Sequence, residues 1–179
     1  MNQTTKIMKK LALILSLIPA LVFSQDSVEL KTIQYLNEYR SSKGLSPLVI
    51  DKGLCKAAEH QVKYELLSDS VTHFQFQDFP GFDEISDPDE RIKHFSGLDC
   101  PFGRQEITLG GKGSLKGFNY FNKDLAKKII ESFKLSPGHN EAMIHKDAHK
   151  VGIKIVKDQN YILGGEAGIR YFCVITFGI

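Results

Sequence analysis

The chain has no tryptophan and only three cysteines. It also lacks the short motifs that announce familiar chemistries. There is no H-E-x-x-H, which excludes the helical zinc-protease arrangement, and no G-x-S-x-G elbow for a serine hydrolase. There is no Cys-x-x-Cys pair for zinc or redox work. Gly110-Gly111-Lys112-Gly113-Ser114 lacks the spacing of a phosphate loop and reads as a flexible loop. No second apolar segment of membrane length follows the N-terminal one.

That N-terminal segment is read as a signal peptide. Lys6, Lys9 and Lys10 form a basic start, and an uncharged run of 13 residues follows from Leu11 to Phe23. A membrane-spanning helix needs about 20. Val22-Phe23-Ser24-Gln25 is a pattern that a signal peptidase cuts near Ser24, and no cysteine stands there for a lipid anchor. The expected organisation is a signal peptide over 1–24 and one domain over 25–179, secreted or periplasmic. Three of the 23 Lys+Arg precede residue 25 and no acid does, so the remainder has 20 against 21 Asp+Glu and a formal charge of −1. A neutral domain carries no electrostatic footprint for nucleic acid or anionic lipid. After export Cys55, Cys100 and Cys173 meet oxidising surroundings; one disulfide with a leftover thiol and three unpaired thiols are both open.

Helical spacing of Ile33, Leu36 and Tyr39 predicts a helix over 28–42, with Gly44 placed to end it. Asp51 is a natural N-cap for a helix running to about Leu67, whose inner face carries Leu54, Ala57, Ala58, Gln61, Val62 and either Glu65 or Leu66. His60 is assigned to its polar face. From Ser68 to about Phe121 prolines and glycines break any period, apart from a short helix beginning at Asp87-Pro88 and ending near Phe95. A long irregular stretch of this kind is a good place for a site. Leu125, Ile129, Ile130 and Phe133 predict an amphipathic helix that stops before Ser136-Pro137. Ser136 then caps another helix to about His145, with Pro137 in its first position. Strands are expected over 151–156, 161–163 and 171–177, giving an α+β sandwich.

His139 falls in the first turn of the helix opened by Ser136-Pro137, where the helix dipole disfavours protonation. A neutral imidazole there can bind a metal or accept a proton. His145 and His149 are four apart, but they lie where helix gives way to strand among charged residues, so they read as solvated surface.

An ordered set of motifs carries a resemblance. Leu36-Asn37-Glu38-Tyr39-Arg40, Gly44-Leu45-Ser46-Pro47-Leu48 and Asp51-Lys52-Gly53-Leu54 lead to Thr72-His73, Asp89-Glu90-Arg91 and Gln105-Glu106-Ile107. Ser136-Pro137-Gly138-His139 and Val151-Gly152-Ile153 close the set. This order resembles the CAP superfamily (cysteine-rich secretory, antigen 5 and pathogenesis-related 1 proteins), in its bacterial SCP-like branch. The resemblance implies a three-layer α-β-α sandwich with a central antiparallel sheet. It also implies a cleft in which His73 matches the first histidine, His139 the second, and Glu106 a glutamate, a set often able to hold a divalent cation, zinc foremost. Ser136 stands where many eukaryotic members have a second glutamate and is read as a helix cap supporting the site. Ile107 replaces an asparagine and Phe133 a tryptophan. On this basis the first expectation is a non-catalytic extracellular binding module for a divalent cation, a small apolar ligand or a partner. The alternative is a peptidase-like hydrolase in which His73 and His139 activate water and Glu106 is the candidate catalytic base. In a third reading the three side chains form a polar cluster that fixes the middle loop.

Overall fold

A computed structural model describes residues 28–76, 79–82, 85–98, 106–114 and 124–179. The expected signal peptide over 1–24 and Cys100 lie outside the described residues. The elements follow in the order α1 (Val28–Ser42), β1 (Val49–Ile50), α2 (Lys52–Ser68), α3 (Pro88–Ser96), β2 (Glu106–Ser114), α4 (Leu125–Lys134), α5 (Pro137–Met143), β3 (Lys150–Asp158), β4 (Ile162–Leu163) and β5 (Glu166–Gly178). The sheet order is β1-β3-β5-β2, with β4 paired to β5. Every pairing is antiparallel except the two-residue β1, which runs parallel to β3.

The central strand β5 explains the layers. Alternate side chains point to opposite faces of a strand. Cys173, Ile175 and Phe177 join Ile33 and Leu36 of α1 with Ile129, Ile130 and Phe133 of α4 in one core. Phe172 and Val174 meet Ala58 and Val62 of α2 on the other face. Leu54 and Ala57 continue that second layer to Ile92 of α3. The fold is thus a three-layer α-β-α sandwich. Each large apolar side chain removed from water contributes about 1.5–3 kcal/mol.

Local chemistry sets the helix ends. Asp51 accepts from the N–H groups of Gly53 and Leu54, and Asp87 does the same for Asp89 and Glu90. Pro88 occupies the first position of α3, where its missing N–H costs nothing. The small residues of α2 allow close approach to the sheet. A methyl group on Gly152 of β3 would collide with the Leu54 carbonyl group and the Cys55 nitrogen. Among the described residues no helix is long and apolar enough to cross a membrane. Cys55 and Cys173 are free thiols, Cys173 being fully buried.

Three expectations need correction. Residues 110–114 are not a loop: they complete β2, which pairs with β5 from Glu106↔Thr176 to Ser114↔Gly168. The ladder overrides the low strand propensity of glycine, and the glycines make room for neighbours. A methyl group on Gly110 would stand 2.6 Å from Val71 Cγ2, and one on Gly111 2.5 Å from Tyr171 Cε1. Ser136 occupies the N-cap position of α5 but makes no side-chain cap hydrogen bond. His60 is not on a polar face: its ring lies 4.8 Å from that of Phe82 and 5.3 Å from that of Phe95.

Candidate functional site

His73 sits in an irregular segment after α2, and such a segment must find partners for its backbone outside any ladder. Side chains supply them. Gln61 Nε2 donates to Thr72 O. Arg91 Nη2 donates to His73 O at 3.0 Å, and Phe76 N–H donates to Tyr64 Oη at 3.0 Å. Gln75 Nε2 donates to Gln61 Oε1 at 2.9 Å and meets His60 Nδ1 at 3.1 Å. Gln61 was readable as an inward-facing residue of α2; its role is to template the segment that presents His73. Burial between the two phenylalanine rings, with Arg91 nearby, lowers the His60 pKa from its ordinary value.

Glu106 opens β2 and faces the α2–α3 layer. Its side chain and that of Arg91 have no exposed surface, and Arg91 Nη2 donates to Glu106 Oε2 at 2.9 Å. Arg91 Nη1 also reaches Ile85 O at 3.2 Å and Ser86 O at 3.0 Å. The other carboxylate oxygen, Oε1, lies 3.3 Å from His73 Nδ1. A carboxylate only accepts, so this contact puts a ring proton on Nδ1, and Nε2 is the nitrogen that the Glu106 contact leaves free. The His73 side chain is 38% exposed. Glu106 borders the cleft, but its side chain has no exposed surface and its two oxygens are engaged by Arg91 and His73.

His139 comes from the first turn of α5. Its ring centroid lies 6.3 Å from that of His73 at an interplanar angle of 68°. The buried Phe133 ring supports it edge-on at 5.2 Å. The His139 pKa is lowered first by burial and then by His73, which favours the neutral ring. The sequence pointed to the same neutrality through the helix dipole; the structure adds burial as a cause.

Between these groups lies a cleft of about 390 Å³, lined by His73, Phe74, Asp87, Asp89, Glu106, Ser136 and His139 among others. Phe74 is 51% exposed and offers an apolar surface. Burial, Asp87 and Glu106 together raise the Asp89 pKa. Ile107 turns its side chain to the opposite face of β2, into the α1–α4 core, where an asparagine would be unsatisfied. His145 and His149 lie beyond α5 and do not line this cleft.

A resident metal was tested against these positions. Structural and catalytic zinc sites take at least three protein ligands. Among the described residues no group of three or more His, Cys, Asp or Glu side chains is placed to hold a metal ion. His73 and His139 offer two imidazoles, and the Glu106 carboxylate is bonded to Arg91 and His73 instead. Among the described residues the placed donors do not complete a three-ligand zinc site.

Arg91 stands in the Asp89-Glu90-Arg91 motif, but its role at the site was not read from the sequence. One signal was available: a basic side chain in the first turns of α3 opposes the helix dipole, so its charge is expected to serve elsewhere.

Comparison with known proteins adds the lineage. The model of the Cysteine-rich secretory protein family, CAP, matches residues 33–177. No match was found among curated proteins. Among solved structures, an outer surface protein from Borrelia burgdorferi is similar at 19% identity and TM-score 0.60, over 86% of this chain and 94% of that one. An extracellular protein containing a SCP domain from Bacillus anthracis is similar at 11% identity and TM-score 0.52, over 83% of this chain and 39% of that one. At these identities the likeness is one of fold.

Proposed function

The chain belongs to the CAP family of cysteine-rich secretory proteins, and from that premise we propose that it is a non-catalytic binding module that works outside the cytoplasm. One observation carries this reading: the Glu106 side chain is fully buried, with one oxygen on Arg91 and the other facing His73. A general base must reach the proton that it removes. Glu106 has no exposed side-chain oxygen to do so, and among the described residues lining the cleft none is hydrogen-bonded as an activated nucleophile. What the cleft offers is recognition. The His73 and His139 rings supply polar contacts, while Phe74 and Pro88 supply apolar wall. A volume of about 390 Å³ suits one small ligand with an apolar body and a polar end.

A divalent cation enters this reading as an exchangeable ligand. Two imidazoles hold a cation weakly, with solvent or ligand atoms completing its shell. Export is supported by the basic start and short apolar run before Ser24. It is also supported by the surface and extracellular character stated for the two similar proteins.

The test is a small-molecule fragment screen on the mature chain with its histidine rings labelled for NMR. Fragments that bind are expected to move the His73 and His139 ring signals together, and His139→Ala is expected to abolish those shifts. Fragments that bind while both rings stay still count against the cleft. Steady turnover of a peptide or ester panel, lost in Glu106→Gln, replaces the binding reading by the hydrolase.

A further inference from the structure

Beneath the cleft, between α2 and β2, lies a second carboxyl group that ligand binding does not use. Glu65 is completely buried. Its Oε1 accepts from Thr72 N–H at 3.2 Å and from the Thr108 hydroxyl. Its Oε2 has no hydrogen-bond partner among the described residues. Thr72 immediately precedes His73. Thr108 stands two residues along β2 from Glu106, on the same face of the strand. Glu65 thus joins the segment that carries one half of the His73–Glu106 contact to the strand that carries the other half.

The charges around it are unbalanced. Glu106 faces it from β2, and the Cys173 thiol lies across the sheet on β5. The 72–76 segment brings His73, whose ring is turned to Glu106. On α2 itself, His60 is engaged with Gln75. The guanidinium of Arg91 on α3 is bonded to Glu106 and to three backbone carbonyls. Among the described residues, Arg91 is the buried cation beside these two buried carboxyl groups, and it is bonded to Glu106. An unpaired buried charge is far more costly than a neutral acid, so the proton belongs on Glu65. An oxygen with no donor is also tolerated better on a neutral carboxyl than on an anion.

We infer that Glu65 is a positioning residue for the cleft: as a neutral carboxylic acid it staples the Thr72–His73 segment to β2, and on ionising it loosens the His73–Glu106 contact. Burial, reinforced by Glu106, pushes its pKa up from the ordinary 4.5 to about 8. The Cys173 thiol is pushed well above its own ordinary value, so it titrates later in alkali. The sign of the linkage follows. Below about 4.5 the acid is neutral in both the folded and the unfolded chain, and the stabilisation is complete. Between about 4.5 and about 8 the folded chain binds the extra proton, so stability falls as pH rises and levels off above about 8.

The experiment needs no ligand, so its failure and the failure of the binding reading are separable. The His73 ring signals of the mature chain are followed by NMR through neutral and alkaline pH in wild type, Glu65→Gln and Glu65→Leu. Wild type is expected to show an alkaline step with a midpoint near 8. The glutamine variant stays neutral and still accepts from Thr72 and Thr108; it is expected to keep the neutral-pH His73 signal and to lose the step. It should also flatten the pH dependence of urea unfolding over the same window. The leucine variant accepts nothing and is expected to displace the signal at every pH. The inference is overturned if wild type shows no step, if the step survives in Glu65→Gln, or if Glu65→Gln displaces the neutral-pH signal as Glu65→Leu does. If the leucine variant does not fold, the glutamine pH profile decides alone.

Discussion

Arg40 and Arg91 are both buried completely, yet they solve the problem of a buried charge differently. Among the described residues, Arg40 donates only to carbonyl oxygens. Its Nε donates to Ser46 O at 3.0 Å, Nη1 to Met143 O at 2.9 Å and His145 O at 3.0 Å, and Nη2 to Ala148 O at 3.0 Å. Met143 ends α5, so the guanidinium also meets the negative end of that helix. Burial without a counter-ion lowers its pKa from the ordinary value. Arg91 combines three carbonyls with the Glu106 carboxylate. Each arginine supports one imidazole of the cleft. Arg91 holds the backbone of His73 and, through Glu106, its ring. Arg40 fastens the far end of the helix whose first turn carries His139. The lesson is that a guanidinium on carbonyls alone is a fastener, whereas one that neutralises a buried carboxylate also sets the electrostatics of the site.

Substitutions that separate these roles are expected to fall in a definite order. Arg91→Met leaves Glu106 as an orphan buried charge and should cost about 3–5 kcal/mol by urea unfolding. It should displace the His73 ring signal more than that of His139. Adding Glu106→Gln should recover part of the lost stability because the stranded charge disappears; no recovery would deny the pairing. Arg40→Met strands carbonyls but no charge. Two of those carbonyls sit in fully buried hydrogen bonds, so the expected loss is about 2–4 kcal/mol. Here the His139 signal should broaden while His73 stays in place.

Gly152→Ala pushes α2 away from β3 and should cost about 1–3 kcal/mol. Because α2 templates the 72–76 segment, His73 should respond before His139. Ser136→Ala should change stability by less than about 0.5 kcal/mol, since the hydroxyl makes no cap bond, whereas a working N-cap contributes about 1 kcal/mol. A full cap-sized loss would mean that the hydroxyl bonds the helix end after all.

What the sequence made legible was governed by near neighbours. Asp51 and Asp87 announce helices because a cap acts within three residues, and the apolar stripe of α4 announces its own buried face. His73, Glu106 and His139 were found through the ordered motifs, and the fold brings them around one cleft. Strand β2 stayed hidden because its glycines are chosen by Val71, Tyr171 and Phe172, partners far off in the chain. The roles of Arg40 and Arg91 were hidden for the same reason. Three of Arg40's acceptors and the carboxylate bonded to Arg91 become neighbours only once the layers close. Glu65 was visible as an acid on an inward face; its partners were not.

Zinc calorimetry on the mature chain tests the central claim, that the Glu106 carboxylate is committed to Arg91 and His73 and is not a donor to the cleft. Weak, exchangeable binding that disappears in His139→Ala is the predicted result. A tight one-to-one complex that is lost in Glu106→Gln but kept in Asp89→Asn would require Glu106 to leave Arg91 and serve as the third donor, and would contradict the account.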